Sequence, residues 1–446
     1  MAYTDLRDFI DVLSRQGELM RITTEVSADL ELAEITDRVS KLKEGNKALL
    51  FTNVKGYDMP VLINAFGSHR RMCLSLEVDN LDSIADRIRS FIKPKVPESF
   101  MEKLSFLPML MEVAKFPPKV TGGHAPCQEV VITDPNSPML DKLPILKCWP
   151  EDGGPFITMG AIITKDPRHG NRNVGMYRLQ KFDNVTTGMH WHKHHDGARN
   201  FEESRRQSMA TAMEAEPSGA VQPPEPPNYG TFFDKEAYEK PGNRLEVAVV
   251  LGADPAVTYS ATAPLPPEID ELIFAGFLRQ SPVRLTRCKT IDLEVPANAE
   301  IVIEGYVDQS DLRREGPFGD HTGFYSLAGL FPVFHVTAVT HRKDPIYQTT
   351  IVGKPPQEDC FLGKATERIF MPMVQMLVPE IVDMNLPWEG VFHNCVIVAI
   401  DKRFPGHAKK VMSALWGLGQ LMFTKFAVIV DKEVNVHDLS EVALHV

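Results

Sequence analysis

The 446-residue sequence predicts a multidomain protein of mixed α+β and α/β class. Three observations predict it. The length exceeds what one hydrophobic core usually organises. Both ends alternate helix-period and strand-period patterns, as α/β units do. The middle is written mostly in strand patterns, interrupted by one polar, Pro-rich stretch. The expected divisions are 1–115, 116–335 and 336–446.

At the N-terminus, Asp5 is a good N-cap, Leu6, Phe9, Ile10 and Leu13 follow at helical spacing, and Gly17 ends the helix. A strand over 19–22, a helix over 30–42, strands over 48–54 and 61–66 and a helix over 81–92 come next. Pro117-Pro118 and Gly122-Gly123 mark a boundary. Strand patterns then occupy 129–132, 159–163 and two runs within 171–196. The stretch 204–242, with Gln222-Pro-Pro-Glu-Pro-Pro227, reads as a surface insertion. Beyond it come an apolar run at 246–251, a helix within 266–280 and strands through 284–305 and 332–340. From about 345 the α/β pattern returns: a helix over 361–378, a strand over 396–400, a helix over 407–422 and a buried strand over 426–430. No closing element is expected after that strand, and there is no internal repeat.

Hydrophobic residues make up 43% and charged residues 24%, the profile of a soluble globular chain. The net charge of −11 argues against general binding of nucleic acid or anionic membranes. None of the six cysteines forms a CxxC pair, so they read as free buried thiols of a reducing cytoplasm. The first residues lack the basic and apolar regions of a signal peptide, and no apolar run reaches membrane-spanning length. A cytoplasmic protein without an integral membrane segment is expected.

Two stretches carry chemistry. The first is 171–196, NRNVGMYRLQKFDNVTTGMHWHKHHD. Asn173 and Arg178 lie in one alternating run, Asp183 to Gly188 reads as a turn, and 189–195 as a second strand adjacent to the first. Period two puts His190, His192 and His194 on one face, and Trp191, Lys193 and His195 on the other. That pattern fits a solvated strand face or a face on which at least one imidazole binds a metal or an anion. No Cys lies nearby, so oxygen co-ligands suit such a site better than a zinc set. The second stretch is 315–323, Glu-Gly-Pro-Phe-Gly-Asp-His-Thr-Gly. It holds Glu315 and Asp320 in a Gly-rich loop, which fits either solvated acids or a carboxylate pair whose pKa values are split by an arginine. Glu271 reads locally as a surface acid.

Together these stretches resemble the UbiD family of decarboxylases. Asn173-Val-Gly-Met-Tyr-Arg178 is similar to the family's N-x-G-x-x-R strand, and Trp191-His-Lys-His194 to its W-x-x-H strand. Leu251-Gly-Ala-Asp-Pro255, Glu271-Leu-Ile-Phe-Ala-Gly276, Asp292-Leu-Glu-Val-Pro296, Ala299-Glu-Ile-Val-Ile-Glu-Gly305, Glu315-Gly-Pro-Phe-Gly-Asp320, Gly353-Lys-Pro-Pro356 and Gly406-His-Ala-Lys409 follow in the family's order.

The resemblance implies a central FMN-binding split β-barrel flanked by an N-terminal α/β region and a C-terminal α/β oligomerisation domain. It implies prenylated FMN, supplied by a flavin prenyltransferase, with Mn2+ and often K+ nearby. The implied reaction is reversible, non-oxidative decarboxylation of an aromatic or α,β-unsaturated acid. A 4-hydroxy-3-polyprenylbenzoate-type acid of quinone biosynthesis leads, ahead of menaquinone-pathway or aromatic-degradation acids. A polyprenylated substrate would place the protein at the membrane periphery.

By motif position Asn173, His194 and Glu271 look like metal ligands, which reduces the three candidate histidines to one. Met176, Tyr177, Arg178, His190, Trp191, His192, His195 and Asp196 would join Asn173 around the cofactor. Arg178, Glu315 and Asp320 match the catalytic set: Arg178 to hold the substrate carboxylate, Glu315 to balance it, and Asp320, with a raised pKa, as general acid. The 204–242 insertion is longer than in the ubiquinone-pathway members. His192, Lys193 and His195 depart from those members, and the chain stops before segments that usually follow. The competing readings are a metal-dependent hydrolase built on His190, His192 and His194, and a non-catalytic assembly subunit.

Overall fold

A computed structural model describes residues 2–92, 114–191, 197–204, 206, 244–266 and 269–446. In the N-terminal part, Asp5 accepts from the backbone N–H of Arg7 and Asp8, and helix Leu6–Arg15 buries Leu6, Phe9, Ile10 and Leu13. Helices Glu31–Ser40, His69–Ser75 and Asp82–Ile92 complete this region. The sequence reading does not anticipate His69–Ser75: seven residues are too few to display an apolar stripe. Its signal is Ser68, whose side chain accepts from Arg71 N–H.

The N-terminal sheet has the order Leu19–Ile22, Ala48–Phe51, Val61–Ile63, Tyr347–Gln348. Its last strand comes from far along the chain, where no local pattern announces the partner. The division expected at 335/336 falls inside strand Gly329–His341. N-terminal and central residues also share one core, in which Leu49 and Ile63 cluster with Ile162, Val249 and Ile303. Buried charge reinforces the join: Arg7 Nε donates to Glu300 Oε1 at 2.9 Å, and Glu358 accepts from Asn64 N and Phe66 N at 3.1 and 2.7 Å.

The central sheet has seven antiparallel strands. Its main path runs Thr186–Gly188, Gly329–His341, Ile301–Glu315, Arg244–Leu251, Ala161–Lys165, Arg172–Met176, and Val130–Ile132 also pairs with Gly329–His341. Strand Ile301–Glu315 shifts register after Glu304 and after Asp308. At the first shift, a Cβ on Gly305 would lie 2.0 Å from His335 O, so the close backbone approach there requires glycine. The two edges of the path, extended past their strands, meet only in single bridges, Arg178↔His190 and Lys181↔Thr187. No closed barrel forms among the described residues.

This corrects the expected pair of adjacent strands. The second strand is Thr186–Gly188, where a turn was expected, and it pairs with Gly329–His341. Two β-branched threonines favour extension, and the partner is supplied by a distant segment. His192, His194, His195 and Asp196 lie outside the described residues.

The C-terminal sheet has the order Ile381–Asn385, Cys395–Ile400, Phe426–Asp431, with helices Glu358–Leu377, His407–Trp416 and Leu439–His445. Three expectations change here. The helix over 407–422 stops at Trp416, and a short 3-10 turn, Gly419–Phe423, follows. Strand Phe426–Asp431 is a sheet edge, buried only at Val430, because apolar composition does not distinguish an edge from a centre. A closing helix exists, Leu439–His445, capped by Asp438. All six cysteines are free, and Cys73, Cys127, Cys148 and Cys360 are buried. No described helix is long and apolar enough to cross a membrane.

Candidate active site

Two chain segments deliver the candidate residues to one place. Strand Arg172–Met176 leads through Tyr177 to Arg178, and the pairing of Leu179–Gln180 with Phe156–Ile157 fixes the chain just beyond it. Strand Ile301–Glu315 ends at Glu315. Gly316 then takes φ +90°, the left-handed region open to glycine, and starts the turn into a small hairpin, Phe318–Gly319 with Tyr325–Ser326. That turn is held from behind. Gly316 N donates to Gln180 Oε1 at 2.7 Å, and Gly319 N to Asp152 Oδ1 at 2.7 Å. A Cβ on Gly319 would lie 2.1 Å from Trp149 Cδ1, so the Asp320 loop can rest on the indole only with glycine there.

Arg178 is the hub. Its Nε donates to Glu315 Oε1 at 2.9 Å and its Nη1 to Asp320 Oδ2 at 3.2 Å. Its Nη2 donates to Glu315 Oε2 at 3.4 Å and to Ser326 Oγ at 3.1 Å. The guanidinium carbon stands 4.4 Å from the centre of the Phe318 ring. His190 Nδ1 lies 2.9 Å from Glu315 Oε2 and 3.0 Å from Arg178 Nη2, and its ring stacks on Phe331. Asp320 Oδ1 faces His321 Nδ1 at 2.7 Å and accepts from His321 N at 2.8 Å.

The electrostatics contradict one expectation. Burial pushes the Glu315 carboxyl up, but His190 and the Arg178 guanidinium outweigh it and hold it below the usual range. Burial pushes Asp320 up as well. The hydrogen bond and charge of His321, then the charge of Arg178, more than reverse that and hold Asp320 well below the usual range. The expected raised pKa of Asp320 is therefore not its resting property. The sequence reading weighed burial and the neighbouring Glu315, and gave His321 no role. His321 is raised: burial lowers it, but Asp320 and then Asp359 outweigh that.

A second group of candidates lies on strand Arg172–Met176 and the helix packed on it. Glu271 opens helix Glu271–Arg279 and is 7% exposed, so it is not a surface acid. Its Oε2 accepts from Val174 N at 2.7 Å, which sets it beside Asn173. Asn173 Nδ2 is buried without a hydrogen-bond partner among the described residues. Met176 is half-buried against the central core. The Tyr177 and Trp191 side chains are buried in the core, edge-on to each other at 6.4 Å. Among the described residues no group of three His, Cys, Asp or Glu could hold a metal ion, and His194 lies outside them. A cavity of about 660 Å³ lined by Tyr3, Glu77, Arg279 and Ser281 shares no residue with either group.

Sequence reasoning missed His321, Ser326, Phe318, Asp359 and His393. His321 and Phe318 stand inside the Gly-rich motif, and adjacency to Asp320 was the available signal for His321. Ser326, Asp359 and His393 reach the cluster only through the fold.

The comparisons bear on the whole chain. Residues 118–220 and 226–355 match the 3-octaprenyl-4-hydroxybenzoate carboxy-lyase Rift-related domain, 10–89 the N-terminal domain of the same description, and 360–446 its C-terminal domain. An uncharacterized protein of Archaeoglobus fulgidus is 52% identical over 442 residues, covering 99% of this chain and 83% of that one. The UbiD-class enzyme HmfF of Pelotomaculum thermopropionicum, in an evolved dimeric form in complex with prFMN, aligns with TM-score 0.78 at 28% identity, over 99% of this chain and 89% of that one. The vanillic acid decarboxylase of Sedimentibacter hydroxybenzoicus in its closed form aligns with TM-score 0.79 at 27% identity, over 100% and 84%. With all three domain descriptions matched in order and the fold shared throughout, the chain belongs to the UbiD family of carboxy-lyases.

Proposed function

We propose that this protein is a prenylated-FMN-dependent decarboxylase of an aromatic or α,β-unsaturated acid. The observation that carries the reading is Arg178 bridging Glu315 and Asp320 in a buried cluster. The central region, 116–335, is read as a split-barrel flavin domain, between an N-terminal α/β region and a C-terminal oligomerisation domain from 336. The leading substrate is a 4-hydroxy-3-polyprenylbenzoate-type acid of quinone biosynthesis. Other aromatic acids, such as those the similar solved enzymes act on, come next. The reaction is reversible in principle, and a cytoplasmic homo-oligomer served by a flavin prenyltransferase is the expected setting.

The residues fit the implied groups. Asn173 and Glu271 are an amide and a carboxylate on adjoining elements. Asn173 Nδ2, which meets no acceptor among the described residues, would donate to an anionic oxygen of the cofactor, and Asn173 Oδ1 would be the atom offered to the metal. Oxygen donors with one imidazole, His194, suit Mn2+ with K+ beside it better than zinc. Met176, Arg178 and His190 are read as facing the cofactor, with His192, His195 and Asp196 from the adjoining segment. Tyr177 and Trp191 support that wall from within the core. When bound, prenylated FMN supplies an electron sink for the carbon that loses CO2.

The chain's own groups do the rest. Among the described residues Arg178 Nη1 makes one bond, to Asp320, which leaves its second hydrogen to hold a substrate carboxylate. Glu315, buried and ionised, fixes the guanidinium through two contacts and balances its charge. Asp320 returns a proton to the carbon after CO2 leaves. The hydrolase reading gives way to membership of the carboxy-lyase family.

The test is CO2 release from a panel of aromatic acids by Mn2+-loaded protein co-expressed with a flavin prenyltransferase. Turnover by the native protein and its loss in Asp320→Asn are expected. Equal turnover in both would overturn the assignment.

A further inference from the structure

Asp320 is ionised at rest, yet the proposed reaction asks it to donate a proton. The surroundings of His321 address that conflict. Its Nδ1 stands 2.7 Å from Asp320 Oδ1, and its own backbone N–H donates to the same oxygen at 2.8 Å, which fixes the carboxylate against the ring. The other side of the ring meets the C-terminal domain, with His393 edge-on at 4.8 Å and Phe392 tilted at 5.6 Å. That contact is built at a conformational cost: Val391 and Phe392 take φ of 53° and 44°, where a β-branched or bulky residue is strained. Gly363 makes room for it, since a Cβ there would lie 3.0 Å from the Phe392 ring.

The charged and titratable groups facing His321 are Asp320, Asp359, Arg178 and His393. Asp359 Oδ2 is buried with no hydrogen-bond partner among the described residues, and the Asp359 charge favours the protonated imidazole. His393 is pushed down to about 4, by burial first and the His321 charge second, and so stays neutral beside it. The His321 side chain is 31% exposed, which leaves it a route to water.

We propose that His321 is the proton store for Asp320, a positioning and proton-supplying residue that acts through the carboxylate it faces. The proposal rests on the decarboxylase reading and deepens it. A substrate carboxylate on Arg178 shares the positive charge that helps keep Asp320 ionised, which brings the two groups closer in proton affinity. The Nδ1 proton of His321 then passes to Asp320 Oδ1, leaving a neutral imidazole and a carboxylic acid. The C–CO2 bond breaks and CO2 departs. The electron pair left at the carbon takes the Asp320 proton, restoring the carboxylate, and His321 recovers a proton from water. The net change is one solvent proton consumed for each CO2 released.

Two measurements test this. In cofactor-free protein labelled with 15N-histidine, the His321 signal should titrate above the ordinary 6.5, and should fall in Asp320→Asn. Titration at or below 6.5, or no change in Asp320→Asn, overturns the pairing. In loaded enzyme, His321→Asn keeps a donor near Nδ1 but carries no titratable proton. Its kcat should fall about 10²-fold with KM unchanged. The native alkaline limb, where activity falls as pH rises through the His321 pKa, should disappear, and added imidazole should restore part of the rate. Native kcat and an unchanged pH profile in His321→Asn overturn the role. Should that variant misfold, His321→Gln takes its place in the same assay. No turnover by the native enzyme on any acid would defeat the decarboxylase reading, and the NMR titration would still decide the pairing.

Discussion

Two pairs of carboxylates stand near each other and meet opposite fates. Glu315 and Asp320 flank the turn after the long central strand. Glu358 and Asp359 open the first helix of the C-terminal domain. Glu315 is 0% exposed and Glu358 3%, so exposure does not distinguish the two glutamates. Yet Glu315 and Asp320 are held below the usual range, while burial pushes Glu358 up to about 7 and Asp359 up to about 6. The difference lies in the partners. Glu315 and Asp320 face a guanidinium and two imidazoles at about 3 Å. Glu358, at a helix N-terminus, accepts from two backbone N–H groups, and Asp359 accepts from Cys360 N–H. The charges of Arg71 and His321 act on them, but among the described residues neither makes an ion-pair contact. Dipoles of that kind offset part of the desolvation, and a full opposite charge offsets all of it. The pair with ionic partners is the one suited to chemistry. The pair with backbone partners ties two parts of the fold together.

The strongest way to break this contrast is Arg178→Ala. It should reduce turnover by at least about 10³-fold, or about 4 kcal/mol, as measured by CO2 release. It should also cost about 3–5 kcal/mol of stability in denaturant unfolding, because Glu315 is left buried without its cation. Glu315 should then titrate in the manner of Glu358. Asp320→Asn comes next: kcat should fall about 10²–10⁴-fold while bound flavin is retained, and the unfolding midpoint at neutral pH should drop modestly, because His321 and Arg178 stabilise the ionised carboxylate. Glu271→Gln should weaken Mn2+ binding in metal titrations by more than the roughly 10–100-fold that losing a mere supporting partner costs.

The smallest effect sharpens the comparison from the other side. The folded pKa of Glu358, about 7, lies above its ordinary 4.5. Its proton is bound more tightly in the folded state, so its contribution is fully favourable below the ordinary pKa and is lost as pH rises through the folded one. Native stability should therefore decline between about pH 5 and pH 8, and Glu358→Gln should flatten that decline in urea unfolding. A decline unchanged in the variant would remove Glu358 as its cause.

Much of this was legible in the sequence where the signal is local. The helix at Leu6–Arg15 carries its cap and its stripe within one segment. Arg178 and Glu315 stand 137 residues apart, and each sits in a recognisable motif, although only the fold joins them. What escaped was non-local. Tyr347–Gln348 joins the N-terminal sheet through a partner nearly three hundred residues earlier. Thr186–Gly188 looked like a turn because its partner strand is distant. The ionised state of Asp320 depends on His321 and Arg178 together, a balance of charge and burial that spacing does not encode. His393 reaches the site only because the C-terminal domain is packed against it.

The most direct measurement is the absorbance spectrum and intact cofactor mass of protein co-expressed with a flavin prenyltransferase and supplied with Mn2+. The account predicts bound prenylated FMN. A folded protein that emerges colourless and flavin-free would contradict it.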